Sequence, residues 1–117
     1  MFVKTEINDW YLFGKSMDVT PGFSIEAAKW LVGQGIKAIV IYFPSVEMSN
    51  FPSGVEGIRY TSNEVHYHLH KNDIPVIEKA IKFRLLKKNR FKAIILPLQA
   101  SNLGGFSVHV LAFEEWN

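Results

Sequence analysis

The sequence contains no cysteine, which removes disulfides, thiolate metal centres and a thiol nucleophile at once. It also lacks an excess of either charge. Thirteen Lys and Arg stand against 11 Asp and Glu, for a formal net charge of +2, so no electrostatic reason points to nucleic acid or an anionic membrane as partner. No uninterrupted apolar stretch approaches the ~20 residues of a membrane span. The opening Met1-Phe2-Val3-Lys4-Thr5 is not a charged lead into a long apolar run, so no signal peptide is expected, and a cytoplasmic protein is the default. Gly-rich phosphate loops, a nucleophile elbow, internal repeats and low-complexity tracts are all missing. Histidine is missing too until His66.

What is present is a chain of 117 residues, 48% hydrophobic, with nine Phe, three Trp and four Tyr. One domain spanning 1–117 is expected, burying roughly 65% of its unfolded surface without staples. The aromatic load is high for that size, and part of it is expected to pack against another chain.

Phe2 to Thr5 alternates as a short strand, and an opening of this kind suggests a segment missing upstream. Asn8 to Pro21 reads as a long loop carrying Trp10, Tyr11, Leu12 and Phe13. Ser24 is an N-cap residue, with Phe23 placed to staple onto Ala28. Ile25, Ala28, Leu31 and Val32 follow at helical spacing, and Gly33 or Gly35 ends the helix. Ile36 to Phe43 is a nearly continuous β-branched run, as expected of a strand buried on both faces. Helix into such a strand through a short turn is an α/β unit.

Pro44 to Tyr60, with its Pro, Gly, Ser and Asn, reads as loop. Ser62 or Asn63 caps a short helix over Glu64 to Lys71, and Pro75 to Glu78 is a short strand ending in a carboxylate. Lys79 to Arg90 reads as a second helix or helical turn with Ala80, Ile81, Leu85 and Leu86 inward. Lys92 to Leu98 and Phe106 to Phe113 are two more strands.

The chemistry concentrates in His66-Tyr67-His68-Leu69-His70, followed by Ile74-Pro75-Val76-Ile77-Glu78. Imidazole and carboxylate together are the usual ligands of a borderline divalent metal. His66 and His70 fall one helical turn apart, a weak chelating signal beside the commoner solvated helix face. His68 points elsewhere, and His109 lies in an alternating strand where an ordinary sheet histidine is favoured. The basic run from Lys82 to Arg90 reads as a solvated face.

Four stretches carry a resemblance. Ser24-Ile25-Glu26-Ala27-Ala28-Lys29-Trp30-Leu31, then Gly35-Ile36-Lys37-Ala38-Ile39-Val40-Ile41, is similar to "S-x-E-A-A-x-W-L…G-V-K-x-V-G-I-D". Pro44-Ser45-Val46-Glu47 resembles "P-S-x-D". His66-x-x-Leu69 through Glu78 resembles "H-x-x-L-L-x-x-x-I-x-I-x-E" with the same offset from His to Glu, and Phe91 to Leu98 resembles "F-x-x-x-x-x-P-L". In this order they resemble the C-terminal half of the metal-dependent cyclase family, which includes bacterial-type kynurenine formamidase (arylformamidase).

The resemblance implies an α/β fold, a partial swivelling β/β/α layered domain with a mixed sheet and flanking helices. It implies that His66 and Glu78 bind a divalent metal, Zn²⁺ or Mn²⁺, for metal-assisted hydrolysis of an amide or ester. It makes Glu47, Ser45 and Asn63 pocket residues, although capping and turn hydrogen bonds explain them equally. The family's N-terminal "H-x-G-T-H-x-D-x-P-x-H" segment, which supplies its other ligands and a catalytic His, has no counterpart here. Tyr42 stands in place of the strand's terminal Asp, Lys82-Phe83 in place of "N-L", and Gly105 to His109 in place of "G-S-P-V-R". Two ligands leave a half-site, since catalytic zinc takes about three from the protein. The expectation is therefore a homo-oligomer, or a second chain that supplies the missing half. The alternative is a non-catalytic shortened paralogue that serves as an oligomerising or binding module.

Overall fold

The computed structural model describes residues 1–4, 19–50, 59–60 and 63–115, with backbone alone at 19–20, 49–50 and 59–60. These residues mix helices with parallel and antiparallel strands, an α/β arrangement at the coarse level. They form two compact units, Met1–Ile81 and Lys82–Asn117.

In the first unit, β1 (Phe2–Val3), β3 (Ile39–Ile41) and β6 (Val76–Ile77) form a parallel sheet in the order β1-β3-β6. Phe2 pairs with Val40 and Ile39 with Val76. The expected strand from Ile36 to Phe43 shortens to its three central residues, all buried. Ile39 and Ile41 enter the main core, while Val40 alternates to the opposite side and is just as inaccessible. Burial on both faces follows from the unbroken apolar run.

A second sheet, antiparallel, joins β2 (Val19–Thr20), β4 (Ser49–Asn50) and β5 (Arg59–Tyr60). Two stretches expected as loop thus contain strands. Pairs two residues long carry no alternation to read; the register of Thr20 with Ser49 and Asn50 with Arg59 is set by pairing across the chain. The rest of the expected loop over Asn8 to Pro21 lies mostly outside the described residues.

Helix α1 (Ile25–Gly33) begins as expected, with Ser24 Oγ accepting the Ala27 N–H at 3.2 Å. It ends through Gln34 into Gly35 at φ +71°, a left-handed position that glycine takes without steric cost. Helix α2 (Glu64–Lys71) buries Val65 and Leu69, one turn apart. The two helices pack together over Ile39 and Ile41, with Phe43, Val46 and Ile74 closing the core.

The second unit holds a single 3-10 turn, Phe83–Leu85, and the hairpin of β7 (Lys92–Pro97) and β8 (Val108–Phe113). Of the helix or helical turn expected over Lys79 to Arg90, only this turn forms. Lys79 and Lys82 both take left-handed φ values, which break a right-handed helix. The segment also crowds Lys82, Arg84, Lys87, Lys88 and Arg90 with no carboxylate among them at helical spacing.

Glu114, just after β8, accepts the backbone N–H groups of Lys88 (2.8 Å) and Lys87, while Lys88 Nζ donates to the Glu114 carbonyl at 3.0 Å. The Lys88 N–H, then that of Lys87, holds the Glu114 carboxyl below its ordinary value of 4.5. A group lowered in the folded state binds its proton more readily when unfolded. Its contribution is therefore present above the ordinary value and lost as pH falls through the lowered one. Glu114→Gln is expected to flatten the acid limb of stability against pH, measured by denaturant unfolding from pH 6 downwards. An unchanged acid limb would remove Glu114 from the account.

Candidate functional site

Three segments converge at the carboxyl ends of the parallel strands, where ligands of open α/β sheets commonly bind. The chain leaving β3 runs through Tyr42 to Glu47, and the chain leaving β6 continues directly into Glu78. The Ala80 N–H donates to the Ile41 carbonyl at 3.0 Å and the Lys79 N–H to the Phe43 carbonyl at 3.3 Å, which fixes the segment carrying Glu78 beside β3. Helix α2 presents His66 from its first turn.

His66 and Glu78 meet, with Nε2 3.0 Å from Glu78 Oε1. The same Oε1 accepts the Val46 N–H at 2.9 Å, so the carboxylate is oriented from the loop after β3. On the other edge of the ring, Nδ1 lies 3.4 Å from Glu47 Oε1, which also accepts the His66 backbone N–H at 2.8 Å. The imidazole is thus held between two carboxylates. A ring with hydrogen on both nitrogens donates to both; a neutral ring donates to one and turns a lone pair towards the other.

Glu47 is 2% exposed, whereas the side chains of His66 and Glu78 are 27% and 29% exposed. Its backbone N–H donates to Ser45 Oγ at 3.1 Å, a turn hydrogen bond of the kind that the sequence offered for Ser45 on equal terms with a pocket role. Asn63 stands at the α2 N-cap, but its side chain makes no capping hydrogen bond. The acceptor for the amide of His66, the third residue of α2, comes from Glu47 instead. No local pattern in the sequence links residues 19 apart in this way; only the "P-S-x-D" likeness touched on Glu47.

The other residues singled out are spread more widely. His70 is exposed and sets its ring edge-on to His66, 5.8 Å between centroids. The His68 carbonyl accepts from Asn72 Nδ2 at 2.8 Å. Tyr42 follows β3 directly, its N–H donating to the Val3 carbonyl at 3.3 Å. His109 lies on β8 opposite Leu96, and Lys82 precedes the 3-10 turn; both belong to the second unit.

Donors to one tetrahedral ion with bonds of about 2.0–2.2 Å stand about 3.3 Å apart. The 3.0 Å between His66 Nε2 and Glu78 Oε1 is shorter than that spacing and is a direct polar contact between the two side chains, with Glu47 on the other edge of the ring. Among the described residues, no group of three or more His, Cys, Asp or Glu is placed to hold a metal ion. No helix among them is long and apolar enough to cross a membrane. No family model, curated protein or solved structure matches the chain.

Proposed function

We propose that this chain is a cyclase-type protein resembling the arylformamidases, the C-terminal half of a metal-dependent hydrolase of amides or esters. In this reading its two units are parts of a partial swivelling β/β/α layered domain, and a second chain, a further copy or a different polypeptide, completes the site. The observation that carries the proposal is the 3.0 Å contact of His66 with Glu78 at the ends of β3 and β6. These are the two residues that the sequence likeness pairs as ligands.

His66 Nε2 and Glu78 Oε1 would hold the ion, Zn²⁺ or Mn²⁺. The Val46 N–H keeps Glu78 turned towards the ring, and α2 holds His66 at the mouth of the sheet. A divalent ion there supplies Lewis acidity towards a carbonyl substrate. The general acid and base come from the completing chain.

Calorimetry with Zn²⁺ and with Mn²⁺, on the wild type and on His66→Ala/Glu78→Ala, tests the reading. Stoichiometric binding tighter than about 1 µM, on the order of 8 kcal/mol, is expected in the wild type and lost in the double variant. Absence of binding, or binding that the double variant keeps, overturns the metal-site reading for the isolated chain and leaves the non-catalytic module. A second reading, a non-catalytic shortened paralogue acting as an oligomerising or binding module, is favoured by one observation. Both ring nitrogens of His66 already face carboxylates of this chain, and the three side chains make a self-sufficient polar tie.

A further inference from the structure

The second unit carries an open strand edge. Its sheet has two strands, β7 and β8, and a lone hairpin of that kind is marginal in water. Cysteine is absent, and Lys82–Asn117 falls below the ~40 residues at which small units usually need a disulfide, a metal or association. The two edges differ. β7 begins at Lys92 and ends at Pro97; lysine blunts an edge, and proline, with no N–H, confines its strand to one. β8 has no proline and no Lys, Arg, Asp or Glu. Among the described residues its backbone pairs with β7 alone. An unprotected edge of this length is a template for a further strand.

We propose that β8 is the contact surface of a homodimer: it pairs antiparallel with β8 of a second copy, giving a four-stranded sheet in the order β7-β8-β8-β7. An apolar edge without carboxylate, Lys or Arg offers nothing to a charged partner, whereas it matches itself. A two-fold axis normal to the sheet and centred on Val110 keeps like faces together. It sets His109 opposite Leu111 and Val108 opposite Ala112 of the second copy, so no like charges are directly opposed. Growth then stops, because both outer edges are β7. Joining two six-residue strands buries less than the ~1,200 Å² of a stable interface, so the dimer is weak. The inference rests on the oligomerising reading, to which it gives a surface, and not on a metal at His66 and Glu78.

Sedimentation velocity on the full chain, from micromolar to near-millimolar concentration, reads the association, and amide exchange by NMR reads the surface. A monomer–dimer equilibrium is expected, in which the β8 amides not bonded to β7 exchange more slowly as concentration rises. His109→Lys alters an exposed residue and sets two lysines diagonally across the axis, and dimer affinity is expected to fall about tenfold. Leu96→Lys adds the same charge to the same face, opposite His109 but on β7, and is expected to leave the dimer as it was. A chain that stays monomeric throughout overturns the inference together with the oligomerising reading. Three results overturn the inference alone, because association then uses another surface. One is a dimer whose β8 amides ignore concentration, which needs no variant. Another is a dimer that His109→Lys leaves intact. The third is a dimer that Leu96→Lys weakens more, as it should if the exposed face of Ile94, Leu96 and Phe113 packed on the second copy instead.

Discussion

Glu47→Ala is expected to destabilise the first unit by about 3 kcal/mol. A hydrogen bond to a charged group contributes about 1.5–3 kcal/mol, and loss of a helix cap costs about 1 kcal/mol. Both losses fall together here, because the same oxygen serves the His66 amide and the His66 ring, and Asn63 offers no substitute cap. Water cannot readily stand in at a residue that is 2% exposed. Glu78→Ala removes a partly solvated carboxylate and is expected to cost about 1 kcal/mol, as a partly exposed ion pair should. Denaturant unfolding of the two variants against the wild type checks the ordering. Equal losses, or the larger one at Glu78, would mean that Glu47 is not the anchor of α2.

Gly22→Ala should be comparably damaging for a different reason. A Cβ built on Gly22 would lie 2.2 Å from the Met48 backbone nitrogen and 2.4 Å from the Glu47 carbonyl carbon. Both neighbours are main chain, so no rotamer change can relieve the clash. Overpacking costs about 1–3 kcal/mol and occasionally more; with backbone on both sides, about 3 kcal/mol is expected. For a chain of this size that lowers the melting temperature by roughly 10 °C. The strain would also reach the site, since the residue pushed aside is Glu47. Thermal unfolding within 2 °C of the wild type would show that the two segments can separate freely.

The elements legible in the sequence were those specified by neighbours. Ser24, the apolar spacing of Ala28 and Leu31, and Gly35 mark out α1; the run around Ile39 marks a strand buried on both faces. Val65 and Leu69 mark the inner side of α2 in the same local way. The strands β4 and β5 were not legible, because two residues of strand are defined by their partners and by nothing in their own pattern. Lys79 and Lys82 give no sign in the sequence of left-handed backbone, which is why a longer helix was allowed there. At the site, His66 and Glu78 stood out by residue type, and the structure brings them together. The capping role of Glu47 was hidden, since a helix normally takes its first acceptor from its own N-cap residue.

The register of the parallel sheet has a consequence for the order in which the chain assembles. β3 is the central strand, and both of its partners lie more than thirty residues away along the chain, Phe2 opposite Val40 and Val76 opposite Ile39. Each pairing must close a long loop before any ladder bond rewards it, which slows folding. The β7–β8 hairpin pairs Pro97 with Val108 across one short connection, and such hairpins form in about 1–10 μs. Amide protection at Ile39 to Ile41 should therefore arrive late. Until it does, the most apolar strand of the first unit is open to pairing with another chain, which makes the refolding interval the period of greatest exposure to aggregation.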